Sequence, residues 1–124
     1  MTRTIIGLSG NLDRPSKTRS LVQTVVATAA SEFYATGAIY DLADFGPSLG
    51  AARRLSDLDA PARVPLEAVL SADALVVGSP VYKGSYTGLF KHLIDLIDPL
   101  ALAGRPVLLT ATGGGDRHAL VIEH

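Results

Sequence analysis

The chain has 124 residues, a formal charge of −1 and no cysteine. That length suits one domain with a buried core, and the missing cysteines exclude disulfides, thiolate catalysis and thiolate metal sites. Charges nearly balance and the basic residues are scattered, apart from Arg53-Arg54, so nothing points to nucleic acid. The amino terminus, MTRTIIGLSG, carries too short an apolar run for a signal peptide, and no stretch approaches the ~18 apolar residues of a membrane span. A cytoplasmic protein is the expectation.

Thr4 to Leu8 reads as a first buried strand, followed by a polar loop from Ser9 to Thr18. A helix follows with Leu21, Val22, Val25, Val26, Ala29, Ala30 and Phe33 on its apolar face, and Gly37 is expected to end it. Ala38 to Leu42 reads as a second strand. Residues 44–65 look irregular, rich in Pro, Gly, Ala and Arg, and Pro65 suits the first turn of a short helix over 66–71. Ala74 to Val77 is a third, doubly buried strand, expected to stop at Gly78-Ser79-Pro80. The helix after Tyr86 presents Leu89, Phe90, Leu93, Ile94 and Ile97 on one face and ends before Pro99. Val107 to Ala111 is a fourth strand. Thr112-Gly113-Gly114-Gly115 is a glycine loop, and a further helix is expected from Asp116.

Strands alternating with helices imply right-handed crossovers and a parallel sheet. The first loop holds only Gly10, not a GxGxxG fingerprint, which favours the flavodoxin-like order 2-1-3-4 over a dinucleotide fold. A fifth strand is missing from the pattern. That would leave Val107-Leu108-Leu109 as an apolar edge inviting association.

The loop from Ser9 to Ser20 joins a strand to a helix amino terminus, where free N–H groups and the dipole favour an anion. Ser16, Thr18 and Ser20 offer hydroxyls, and Arg14, Lys17 and Arg19 offer charge. Helix capping by Ser16 or Thr18, with solvated cations, accounts equally well for the same residues. The loop after the third strand, Val81-Tyr82-Lys83-Gly84-Ser85, sits where open α/β sheets bind ligands. No His/Asp/Glu spacing makes a metal site, and the G-x-S-x-G elbow of a hydrolase is absent. His92 is expected to face solvent.

Ser79-Pro80-Val81-Tyr82-Lys83, Gly84-Ser85 and Gly88-Leu89-Phe90-Lys91 resemble the NADPH-dependent FMN reductases, a flavodoxin-like family that includes the alkanesulfonate-utilisation flavin reductases. The first strand and loop and Thr112-Gly113-Gly114 extend the resemblance over most of the chain. It implies one flavodoxin-like FMN-binding domain over 1–124. It also implies hydride transfer from NADPH or NADH to FMN, with reduced flavin passed to a partner monooxygenase. Asn11, Ser16, Thr18, Arg19 and Ser20 would contact the phosphate. Pro80 and Val81 would wall the flavin ring, and Tyr82, Lys83 and Gly84 would offer backbone donors, with Gly84 allowing close approach. Thr112, Gly113 and Gly114 would close the pyrimidine side. No side chain need act as acid or base, since the chemistry belongs to the cofactors; Lys83 would act electrostatically. His118 matches a family histidine with no role assigned to it. The resemblance implies a homodimer or homotetramer, joined through the last helix at Leu120 and Val121. A flavodoxin-like electron carrier, or a quinone or azo-type reductase of the same fold, is the alternative; electron carriers of this kind are usually strongly acidic, which −1 is not.

Overall fold

The computed structural model describes residues 2–82, 85–86, 88–97, 99–112 and 118–123. Strands β1 (Thr4–Ser9), β2 (Thr36–Asp41), β3 (Ala74–Tyr82) and β5 (Val107–Thr112) form a parallel sheet in the order β2-β1-β3-β5. This is the expected flavodoxin-like order. A short β4 (Ser85–Tyr86) pairs antiparallel with the end of β3, through Val81↔Tyr86 and Tyr82↔Ser85. Gly78-Ser79-Pro80 therefore does not stop β3. Gly78, Ser79 and Pro80 all pair with β5, which carries the strand on to Tyr82.

Alternation sends successive residues to opposite faces of the sheet. Ile5 and Val76 pack under helix α1 (Lys17–Glu32), against Val22 and Val26. Ile6, Leu8 and Leu75 face the other side. There they meet Leu42 and Phe45 of α2 (Leu42–Phe45), Leu49 of α3 (Ser48–Ala51), Leu66 and Val69 of α4 (Ala60–Ser71), and Phe90 and Leu93 of α5 (Gly88–Leu96). The segment expected to be irregular thus holds the end of α2, all of α3, a 3-10 turn (Leu55–Asp57) and the first half of α4. Its propensities are weak, but Leu42, Phe45, Leu49 and Leu58 are all buried, and that burial orders it. Asp59 caps α4 through Ala62 N–H at 3.1 Å, so the helix starts six residues before Leu66, with Pro61 in its first turn.

Helix α1 ends earlier than Gly37. Tyr34 adopts φ 53°, and the Ala35 N–H reaches the Ala30 carbonyl at 2.9 Å, closing the helix in the left-handed manner usually left to glycine. Gly37 lies inside β2 instead. Glycine serves α1 elsewhere by letting it lie close on the sheet. A Cβ on Gly78 would stand 2.5 Å from Val22 Cγ2 and 2.7 Å from Thr110 Oγ1. Gly78→Ala is therefore expected to cost about 1–3 kcal/mol through overpacking, and adding Val22→Ala should recover part of it. Urea unfolding of the two variants checks this; an unaltered midpoint for Gly78→Ala would show that the helix can shift freely.

The chain beyond β5 departs from expectation. Residues His118–Glu123 form β6, antiparallel to β5 with Leu109↔Val121 and Thr110↔Leu120 in register. The sequence pattern there suggests a helix from Asp116. Ala119-Leu120-Val121-Ile122 is a continuous apolar run, which suits a strand as well as a helix. The unpaired edge of β5 decides between them. That edge is covered from within the chain, so neither the open edge nor a helical interface at Leu120 and Val121 is present. No described helix is long and apolar enough to cross a membrane.

Candidate active site at the carboxyl edge of the sheet

Asp41, Ser9, Gly78 and Thr110 stand in register across the four parallel strands, near their carboxyl ends. The row is small and polar, and the first turn of α1 lies over it. The Thr18 methyl would lie 3.3 Å from a Cβ at Gly78. Ser9, Asp41 and Thr110 are buried, as are Asn11 and Thr18. Among the described residues, Ser9 Oγ, Asn11 Oδ1 and Thr110 Oγ1 are buried without a hydrogen-bond partner.

Ser16 is the N-cap of α1. Its hydroxyl accepts from Arg19 N–H at 3.1 Å, and Ser20 Oγ donates to the Ser16 carbonyl at 3.1 Å. Capping by Ser16, one of the two functions its sequence position allows, is thus built. Thr18 lies under the helix, and Arg19 turns toward β2.

The loop is tied down by Asp41, a residue that sequence patterning did not single out. Its side chain is fully buried. Arg14 donates from Nε and Nη2 to its two oxygens, both at 2.7 Å; Asn11 Nδ2 and Arg19 Nε each donate to Oδ2 at 3.1 Å. Asp41 also caps α2 by accepting from Asp44 N–H at 3.2 Å, and Asp44 returns the bond to Asp41 N–H at 2.9 Å. This is a capping box, and Asp41-x-x-Asp44 at a strand end is the signal that could have revealed it. Burial pushes the Asp41 carboxyl up, but the hydrogen bonds from Arg14 and Asn11 and the Arg14 charge outweigh it and hold its pKa below the usual range. The same bonds to Asp41, with one to Asp44, hold the Arg14 proton more firmly than usual. The second Asn11 amide hydrogen goes to the Asp13 carbonyl at 3.1 Å. Both acceptors fix the amide's orientation, leaving Oδ1 as its unpaired atom.

Beside the loop, the carboxyl half of β3 is packed tightly. Pro80 and Ser79 are buried, and a Cβ on Gly10 would stand 3.0 Å from the Phe90 ring and 3.1 Å from Ser79 Oγ. Val81, Tyr82 and Thr112 extend β3 and β5 along the same edge. Lys83, Gly84, Gly113 and Gly114 lie outside the described residues. His92 is half-buried rather than solvated; its Nε2 donates to the Leu49 carbonyl at 3.1 Å and ties α5 to α3. A separate apolar groove of about 540 Å³ opens at the opposite end of the sheet, lined by Val25, Ala29, Phe33, Ala74, Pro106 and Leu108 among others. Its lining is mainly apolar and includes Arg3, Thr4 and Asp73.

The strand order, with an anion-suited helix terminus and the end of β3 at one edge, defines a flavodoxin-like α/β protein. The chain belongs to the NADPH-dependent FMN reductase family, whose model matches residues 3–124. It is 46% identical over 120 residues to the NADH-dependent FMN reductase SfnF of Pseudomonas fluorescens, covering 97% of this chain and 64% of that protein. It is 44% identical to an FMN reductase (NADPH) of Pseudomonas aeruginosa, with the same coverage. The chain thus spans 64% of the length of these relatives. Among solved structures, the apo form of the NADH:FMN oxidoreductase EmoB superposes with a TM-score of 0.82 at 34% identity, covering 93% of this chain and 60% of that one.

Proposed function

We propose that the chain carries the FMN-binding site of an NAD(P)H-dependent FMN reductase. The observation that carries this is the set of three orphaned polar atoms, Ser9 Oγ, Asn11 Oδ1 and Thr110 Oγ1, at the carboxyl edge. Each costs about 1–3 kcal/mol if nothing satisfies it, so the carboxyl edge calls for a further polar partner such as a ligand or an ordered water. The described residues fit a phosphorylated flavin. Ser16, Thr18, Arg19 and Ser20 in the first turn of α1 would hold the phosphate, with Asn11 shaping the loop beneath. Pro80, Val81 and Tyr82 would face the ring, together with Lys83, Gly84, Thr112, Gly113 and Gly114. When bound, FMN supplies the hydride acceptor for a nicotinamide. The chain's own part is to bind and orient, and no side-chain acid or base is needed. Delivery of reduced flavin to a monooxygenase, a cytoplasmic setting and a homodimer or homotetramer belong to the same proposal. They draw support from the family resemblance.

Anaerobic mixing of FMN with NADH or NADPH and catalytic amounts of the chain tests this. Nicotinamide oxidation in proportion to protein is the expected result. FMN binding without nicotinamide oxidation would instead mark an electron carrier, and no FMN binding would overturn the proposal.

A further inference from the structure

The cations of the first loop are not free to act as a diffuse positive patch. Arg14 and Arg19 face Asp41 and Asp44, two positive charges against two negative ones, so the network is neutral. Arg14 spends Nε and Nη2 on these carboxylates. Among the described residues, Arg19 is bonded through Nε alone, to Asp41 Oδ2 at 3.1 Å, which leaves both terminal nitrogens of its fork toward other partners. Arg19 is also the third residue of α1, in the first helical turn, where the helix dipole favours an anion. Its side chain is 29% exposed, whereas that of Asp41 is fully buried and held on five sides.

A buried, rigidly held carboxylate that takes the Nε–H of a guanidinium restricts the directions in which its terminal nitrogens can reach. We infer that Asp41 is a positioning residue. Through Arg19 Nε it aims the terminal nitrogens of Arg19 at an anion on the amino terminus of α1, and so sets the preference for a phosphorylated flavin over an unphosphorylated one. This role rests on the flavin function proposed above. Because the network carries no net charge, the preference comes from the direction of the donors and not from attraction at a distance.

The test is the ratio of FMN to riboflavin affinity, measured by fluorescence quenching. Asp41→Asn should weaken FMN roughly tenfold and riboflavin less than about threefold, since only the phosphate meets the aimed fork. Arg19→Lys keeps the charge but loses the fork, and should reduce the ratio to a similar degree. Joined in one chain, the two changes should do little more than either alone, because they break one device. Should Asp41→Asn fail to fold, Arg19→Lys decides alone: an unaltered ratio means that charge suffices and aiming is not involved. A folded Asp41→Asn with the parental ratio, or two fully additive effects, would equally overturn the assignment. A parent chain that binds neither flavin overturns the flavin function itself, and this role with it.

Discussion

Asp41→Ala is expected to destabilise the fold by about 3 kcal/mol. Removing one partner of a buried ion pair costs about 3–5 kcal/mol when the other charge stays buried. Here the Arg14 side chain is 48% exposed and can return to water, which lowers the penalty. Against that, Asn11 Nδ2 loses an acceptor, Arg19 loses its anchor, and α2 loses an N-cap worth about 1 kcal/mol. The effect should depend on pH with a definite sign. The Asp41 pKa is depressed in the folded state, so its contribution is fully present above the unfolded value of about 3.9 and is lost as the pH falls through the lower folded value. Parent and variant should therefore differ most near neutrality and converge in acid. Parallel urea melts at several pH values measure this. A constant gap down to the acid-unfolding limit would mean that Asp41 acts through packing alone.

FMN is expected to bind more tightly than riboflavin by roughly 2–4 kcal/mol, the worth of about two charge-assisted hydrogen bonds. In affinity that is roughly 30- to 1,000-fold. The first turn of α1 supplies the donors and the dipole. Thr18→Ala should narrow the gap by about 1 kcal/mol or more. Fluorescence-quenching titrations give both numbers, and equal affinities for the two flavins would remove the phosphate from this turn.

The parallel sheet was legible because Ile5-Ile6, Leu75-Val76 and Val107-Leu108 are continuous apolar runs, as strands buried on both faces require. The loops proposed to hold the flavin read as interruptions between those runs and helical periods. Three features were not. Asp41 reads as an ordinary strand end until the fold brings Asn11, Arg14 and Arg19 to it from across the sheet. The helices between Leu42 and Ser71 exist through burial of scattered leucines, which a local pattern does not encode. Residues 118–123 have no strong local preference, and pairing with β5 settles them as a strand. The capping of α1 by Ser16 was visible only as one of two roles that the same hydroxyl could fill.

Hydrogen exchange of the chain with and without FMN locates the site most directly, since bound ligand slows exchange of the amides that it covers or orders. The structure predicts protection over Gly10 to Ser20 and Gly78 to Tyr82, with little change over the outer turns of α4. Riboflavin should protect the end of β3 but leave the first turn of α1 nearly as fast as in the free protein. Protection confined to Val25, Ala29, Phe33, Val107 and Leu108, in the apolar groove at the far end of the sheet, would contradict a flavin site at the carboxyl edge.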